Sequence, residues 1–329
     1  MSAAGKIWKT MIAGGAGVAT LAAVNAAIAR RTHVESDEST SEGEKGVFQS
    51  KHGDVFYRSA NSSAAGTPVL FVHSVDAGAS SFMWRRNFAD LGEDHPVYAL
   101  DLLGFGLSDK PAAAPYSADL YVELIADFIE GVIARPACVV GNNLGAAFAT
   151  RVADERRELV NNLLLVSPTS AGNARMSSGM TGAAFYGLLH SPVLGTSFYN
   201  AMASERSIRD YARKQLFYDK RLATHELIAQ IYGMSHQPGA QHAVAAFLSG
   251  YLNADAREAF ARLTQPVTLV WGRQDRTNPV ITATQFQILN SRAKLEIFDR
   301  ARLWPHEEHP EKFNALVRQL LLKARPAAA

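Results

Sequence analysis

The stretch Ala137–Ala149, which reads ACVVGNNLGAAFA, has the spacing most suggestive of chemistry in this chain. A short apolar run ends abruptly at Gly141, and a helical pattern begins after Gly145. A strand that turns sharply into a helix lifts the side chain between two such glycines above the sheet. That side chain belongs to Asn143, whose amide nitrogen is delocalised into its carbonyl and whose oxygen is a poor nucleophile. The stretch therefore predicts a sharp strand-to-helix turn of the kind that presents a catalytic nucleophile, with a residue in the nucleophile's place that cannot attack a substrate.

Three further stretches carry polar residues at the ends of apolar runs: Pro68–His73 (PVLFVH), Leu100–Lys110 (LDLLGFGLSDK) and Val270–Pro279 (VWGRQDRTNP). Together with GNNLG, and in this order, they resemble the motifs of the α/β-hydrolase superfamily, cap-bearing members included. The resemblance covers roughly residues 47–323. It implies a mostly parallel eight-stranded sheet flanked by helices, with a helical cap inserted into it.

The resemblance also assigns roles, because the family needs a nucleophile, an acid and a histidine in that chain order. Asn143 occupies the nucleophile position and Asp275 the acid position. Aligning ARLWPHEEHPE on its prolines and glutamates places Leu303 where the histidine belongs. Without that imidazole, Asp275 is expected to hold its own loop. His306 is a poor substitute, because three residues of extended chain span ~10 Å and a general base must lie within ~3 Å of its proton.

The family's oxyanion hole is formed by backbone N–H groups, which survive changes of side chain. The resemblance places these donors at Val75 and Leu144, with Ser74 beside them in the loop after His73. Ser74 and Asp76 are polar residues of this loop for which the sequence names no partner. A polar pocket is therefore expected to persist where two of the three triad positions are lost.

From Val47 onward, short apolar runs alternate with helical patterns, which is typical of a parallel sheet with crossover helices. The runs predict strands at Val55–Tyr57, Val69–Val72, Val97–Leu100, Leu163–Val166, Val267–Trp271 and Leu295–Phe298, and a last helix that begins at Pro310. The alternation stops between Ser170 and Leu263, where the period is helical throughout. We therefore predict a core of residues 47–170 and 264–325, interrupted by a helical cap at 171–263.

The N-terminal part has a different character. Met11–Ala29 has nineteen residues without a charge and is flanked by lysines before it and by Arg30 and Arg31 after it. This length just spans a bilayer, so residues 1–31 are predicted to form a transmembrane anchor helix, with the main domain on the cytoplasmic side. A signal peptide cleaved after Ala29 is the alternative, which the two arginines disfavour. Residues 32–46 are acidic and Ser-rich and are predicted to form a linker.

The composition limits the kinds of partner and cofactor that the protein is expected to bind. The formal charge of the 329 residues is only +2, and no basic stripe with interleaved aromatics appears, so nucleic acid is not expected as a partner. Cys138 is the only cysteine, which leaves no disulfide or thiolate metal site within the chain. No metal or other cofactor is expected.

Two functions follow from these patterns. The preferred hypothesis is a membrane-anchored pseudo-hydrolase that acts as a binding or structural subunit, with a membrane protein or a small apolar molecule as its partner. The alternative is an atypical hydrolase, lyase or dehalogenase-like enzyme acting on a small apolar substrate under the cap. The alternative predicts a closed, partly polar cavity above Asn143, because a cap over a sheet normally encloses a small-molecule site. A ligand-binding protein whose cap closes on a hydrophobic molecule is a third possibility.

Overall fold

A computed structural model describes residues 17–30, 43–169 and 180–323 of the chain. Its strands form one sheet in the order β1-β2-β4-β3-β5-β6-β7-β8. The strands are β1 (Glu44–Ser50), β2 (Gly53–Ala60), β3 (Val69–Val72), β4 (Val97–Leu100), β5 (Ala137–Asn142), β6 (Val160–Val166), β7 (Val267–Gly272) and β8 (Lys294–Phe298). β2 pairs antiparallel with β1 and β4, and all other pairings are parallel. The predicted eight-stranded, mostly parallel sheet is confirmed.

Helices cover both faces of this sheet. They are α1 (17–30), α2 (Arg85–Gly92), α3 (Ala118–Phe128), α4 (Leu144–Glu155), α5 (Met180–Leu189), α6 (Leu194–Met202), α7 (Glu205–Tyr211), α8 (His225–Ser235), α9 (Gln241–Leu248), α10 (Arg257–Arg262), α11 (Ala283–Leu289), α12 (Pro305–Glu308) and α13 (Pro310–Lys323). The last helix begins at Pro310, as the sequence predicts, because proline suits the first turn of a helix.

The two central strands are buried on both faces. Every residue of β3 and β5 is buried, since parallel strands covered by helices read as continuous apolar runs. Alternate residues of β5 then join two separate cores. Val139 packs with Tyr121 of α3 and Phe148 of α4, whereas Val140 belongs to the opposite core with Phe313 of α13. This packing fixes the carboxyl ends of β3 and β5, where the predicted site residues lie.

Helices α5 to α10 lie between β6 and β7 along the chain, in the interval predicted as the cap. Residues 171–179 of that interval lie outside the described part. Strand β1 begins at Glu44, inside the segment predicted as the linker, of which residues 32–42 are likewise not described. In parallel α/β sheets, ligands bind beyond the carboxyl ends of the strands. The site is therefore expected between these ends and the inserted helices.

The N-terminal helix requires a correction. No helix within the described ranges is long and apolar enough to cross a membrane. Residues 17–30 form α1, which is the part of this segment that the structure describes. Its Asn25 side chain donates hydrogen bonds to the Val193 carbonyl at 3.1 Å and to the Ser197 hydroxyl at 3.0 Å, so the helix is tied to α6. The predicted single-pass anchor and the membrane localisation are therefore wrong; residues 1–16 and 31 lie outside the described part.

Candidate active site

The turn at Asn143 has the strained geometry that lifts a side chain above the sheet. β5 ends at Asn142, α4 begins at Leu144, and between them Asn143 has φ 52° and ψ −116°. Its backbone N–H donates to the Val166 carbonyl at 3.0 Å, which fixes the turn to the neighbouring strand. Such a conformation costs about 1–3 kcal/mol, and asparagine is among the non-glycine residues that tolerate positive φ best. The side chain is half-buried and makes no capping hydrogen bond to α4.

The two flanking glycines are required by close packing. A Cβ on Gly141 would lie 2.7 Å from the Cα of Ala146, inside the turn itself. A Cβ on Gly145 would lie 2.3 Å from the carbonyl oxygen of His73 at the end of β3. The first turn of α4 is therefore pressed directly against the loop that the sequence predicts to hold the oxyanion donors.

Asp275 holds its own loop. Its Oδ1 accepts hydrogen bonds from the backbone N–H groups of Thr277 at 2.9 Å and Asn278 at 3.0 Å. The Asn278 amide in turn donates to the Ser167 carbonyl at 2.9 Å, joining the loop to the end of β6. Burial raises the pKa of the Asp275 carboxyl, while the Asn278 N–H and the Ser167 hydroxyl oppose the rise. Oδ1 of this carboxyl is therefore held by the backbone of its own loop, whereas Oδ2 is buried without a hydrogen-bond partner among the described residues.

Leu303 is fully buried, and its carbonyl accepts a hydrogen bond from the Asn142 side chain at 3.4 Å. The backbone of this loop therefore lies beside the end of β5, next to the turn at Asn143, and the Leu303 side chain belongs to the same core as Phe313. The neighbouring Arg302 donates to the carbonyls of Arg213 and Lys214, at 3.1 Å and 2.7 Å, and so ties this loop to the inserted helices.

His306 is placed in an aromatic core and not beside Asp275. Its ring lies 4.3 Å from Trp84 and 5.7 Å from Phe313, centroid to centroid. Burial lowers the pKa of its imidazole to about 3, with a smaller contribution from Arg85. An imidazole with that pKa is a weak base at neutral pH, so it does not replace a histidine at position 303.

The loop after β3 is held by His73. Its buried ring accepts a hydrogen bond at Nε2 from the Leu102 N–H at 2.9 Å, and Nδ1 bonds to the Ser74 carbonyl. Burial lowers the pKa of this imidazole, so the ring is neutral and its proton lies on Nδ1. The backbone N–H groups of Val75 and Leu144 find no acceptor among the described residues. Both are available to bind an oxygen that develops negative charge.

Ser74 and Asp76 form a pair that the sequence did not reveal. The Ser74 hydroxyl donates a short hydrogen bond to Oδ2 of Asp76. Burial raises the pKa of the Asp76 carboxyl, and the Ser74 hydroxyl partly offsets the rise. Burial raises the pKa of the Tyr211 phenol, on α7, well above 10. The nearby carboxyl groups of Asp76 and Asp275 raise it further. A carboxyl with a raised pKa in a cleft is typical of functional sites.

These residues border a cavity of about 370 Å³ between the loop after β3 and helices α7, α8 and α9. Its walls are mainly apolar and include Phe82, Met83, Met202, Ile208, Leu216, Ile231, Val244, Phe247, Leu248 and Trp304. Its polar lining consists of Ser74, Asp76, Ser80, Ser207, Tyr211 and Gln230. Of the site positions predicted from the sequence, Ser74 lies on the wall, whereas the other five are not among the described lining residues: Val75, Asn143, Leu144, Asp275 and Leu303.

A metal ion has no evident set of ligands in the described ranges, because no three His, Cys, Asp or Glu side chains gather closely enough to hold one.

The comparisons with known proteins agree with this fold. Residues 69–316 match the alpha/beta hydrolase family, and the chain belongs to that family. It is 29% identical over 276 residues to a 2-hydroxymuconate semialdehyde hydrolase from Pseudomonas sp. (strain CF600), covering 81% of this chain and 90% of that protein. It is 24% identical over 264 residues to a 2-hydroxy-6-oxo-2,4-heptadienoate hydrolase from Pseudomonas putida, covering 78% and 90%. The crystal structure of a serine hydrolase involved in carbazole degradation has a TM-score of 0.70 at 22% identity, covering 86% of this chain and 100% of that one.

Proposed function

We propose that this protein is an atypical hydrolase or lyase that acts on a small, largely apolar substrate in the cavity beneath the inserted helices. The observation that carries the proposal is the position of the Ser74–Asp76 pair on the cavity wall, where Asn143 is absent from the described lining. Asp76 is the proton-transferring group, and Ser74 orients its carboxyl. The family relationship and the hydrolase names of the relatives support the class of reaction.

The chemistry needs no covalent intermediate at Asn143. The ionised Asp76 carboxyl takes a proton from water as the water oxygen attacks a substrate carbonyl. The carbonyl oxygen gains negative charge and is stabilised by the hydroxyl group of Tyr211, which lines the same cavity. The intermediate then expels its leaving group, which receives the proton held by Asp76. Tyr211 remains a neutral hydrogen-bond donor throughout, because of its raised pKa.

A second candidate is a binding protein without turnover. It is favoured by the loss of both the nucleophile and the histidine, since Leu303 is buried and His306 lies in an aromatic core. Both candidates use the same cavity, and they differ only in whether bound molecules are converted.

The pH dependence of turnover tests the enzyme proposal. The full chain is incubated with a panel of uncharged aryl esters and aryl ketones, and products are quantified by chromatography. We expect kcat/KM to rise with pH through an apparent pKa above the ordinary aspartate value of about 3.9, because the carboxyl with the raised pKa must ionise to act as a base. Absence of turnover at every pH would favour the binding protein instead, whereas turnover that does not depend on an ionisation above that value would contradict the role of Asp76 as the base.

A further inference from the structure

We infer that the cavity of the proposed function selects electrically neutral ligands with an aromatic ring or alkyl chain, and that it rejects carboxylates. The inference rests on that cavity being the substrate site. Among its described lining residues there is no lysine, arginine or histidine, and Asp76 is the one acid. The fixed charge available on this wall is therefore negative or absent.

The arginines nearest in sequence to the lining are engaged elsewhere. Arg85 forms a 2.7 Å ion pair with Glu307. Arg302 donates to two backbone carbonyls. On α7, Arg206 is exposed and Arg209 lies 3.8 Å from Glu205; Arg213, just after α7, is also exposed. None of these guanidinium groups is presented to the cavity as a counter-ion for a ligand.

A carboxylate entering this space would lose its hydration without gaining a buried partner of opposite charge. Such an uncompensated charge is strongly unfavourable in an apolar environment, and an ionised Asp76 would repel it further. A neutral carbonyl or hydroxyl group can instead bond with Tyr211, Ser80, Ser207 or Gln230. The rings of Phe82, Phe247 and Trp304 offer the apolar surface on which an aromatic or aliphatic body packs.

This preference can be compared with the name of a relative, the 2-hydroxy-6-oxo-2,4-heptadienoate hydrolase from Pseudomonas putida. The heptadienoate in that name is a molecule that carries a carboxylate. The inferred preference of this chain for neutral ligands therefore differs from the kind of molecule in the name of that relative.

A cationic amine is the competing ligand, because Asp76 could serve as its counter-ion. The hydroxyl of Ser74 already occupies one Asp76 oxygen, and the rest of the wall is mainly apolar. The observations favour the neutral ligand, and the amine becomes one arm of the test.

The test uses three ligands of similar size at pH 7: acetophenone, benzoate and benzylamine. Binding to the full chain is measured by isothermal titration calorimetry. We expect acetophenone to bind at least tenfold more tightly than either charged ligand. Benzoate binding as tightly as acetophenone, or benzylamine binding most tightly, overturns the inferred selectivity and leaves the proposed function standing. Binding of none of the three overturns both.

Variants designed to gain benzoate binding test the same inference a second time. Gln230→Arg adds a cation to the cavity wall, whereas Ala229→Arg adds the same charge to an exposed position of the same helix that does not line the cavity. We expect at least a tenfold gain in benzoate affinity in the first variant and none in the second. Equal gains in both variants, or no gain in Gln230→Arg, would contradict the inference.

Discussion

At the scale of single residues, the sequence resemblance predicts that the site differs from a serine hydrolase at two positions that depend on each other. Asn143 cannot attack, and Leu303 offers no base to a nucleophile placed at position 143. The remaining acid, Asp275, accepts hydrogen bonds from its own loop. We propose that the chemistry lies on the loop after β3, where the Ser74 hydroxyl donates a hydrogen bond to Asp76.

Restoring one triad residue is therefore expected to restore little. In Asn143→Ser, the new hydroxyl has no imidazole to take its proton, so labelling by a fluorophosphonate should stay near background. In the double variant Asn143→Ser/Leu303→His, labelling should rise by at least tenfold, because the backbone of position 303 lies beside the turn at Asn143. The measurement is in-gel fluorescence of the labelled protein. Strong labelling of the single variant would show that another residue already serves as its base.

The assignment of Asn143 and Leu303 to triad positions comes from the sequence, because flanking motifs fix their alignment, and it stays a prediction. The Ser74–Asp76 pair could not be predicted from the sequence. Both residues are visible in the sequence, but their hydrogen bond depends on how the loop folds back after β3, including the turn in which the Ala79 N–H donates to the Asp76 carbonyl. Tyr211 arrives from α7, more than a hundred residues later, and no local pattern signals that approach.

At the scale of elements, the continuous apolar runs of the central strands were enough to predict them. β3 and β4 occupy the predicted residues. Both strands are fully buried, so their sequences are continuous apolar runs that no polar residue interrupts. β1 was missed and assigned in part to the linker. It is an edge strand with alternating exposure and begins with charged residues, so its sequence lacks an apolar run.

The contact between α4 and the end of β3 is tested by Gly145→Ala. The added methyl group would lie 2.3 Å from the His73 carbonyl oxygen, so we expect a loss of about 1–3 kcal/mol in the free energy of unfolding. Gly233→Ala in α8 is the matched control, because its methyl group meets nothing within 4 Å. It should gain up to about 1 kcal/mol from helix propensity. Urea unfolding measures both, and equal effects in the two variants would contradict the close packing.

At the scale of the whole molecule, the N-terminal prediction failed because an uncharged Ala-rich segment suits more than one environment. Composition alone could not reveal that Asn25 bonds to α6. The sequence predicted the inserted helices as one helical segment. It did not predict which of their side chains line the cavity, because that depends on tertiary packing.

The stability of the molecule toward acid should depend on His306. The pKa of its imidazole is about 3 in the folded chain and about 6.5 when unfolded, so the unfolded state binds more protons between these values. Stability is then fully present above pH 6.5 and is lost as the pH falls. Between pH 7 and pH 4 the loss from this group is of order 3 kcal/mol.

The replacement His306→Phe keeps the ring contacts with Trp84 and Phe313 and removes the titration. We expect this variant to lose clearly less stability than the parent between pH 7 and pH 4, measured by urea unfolding at each pH. Parallel pH profiles for the two proteins would show that another group governs acid unfolding.

We propose that catalysis depends on the Ser74–Asp76 pair and not on the residue at the turn, Asn143. This proposal is tested most directly by kcat/KM of Asp76→Asn and Asn143→Ala on the best neutral substrate, with folding of each variant checked by circular dichroism. We predict a fall of about 10²- to 10⁴-fold in Asp76→Asn, which lacks the base, and a change of no more than about threefold in Asn143→Ala. The reverse order, with activity lost in Asn143→Ala and kept in Asp76→Asn, would contradict the account.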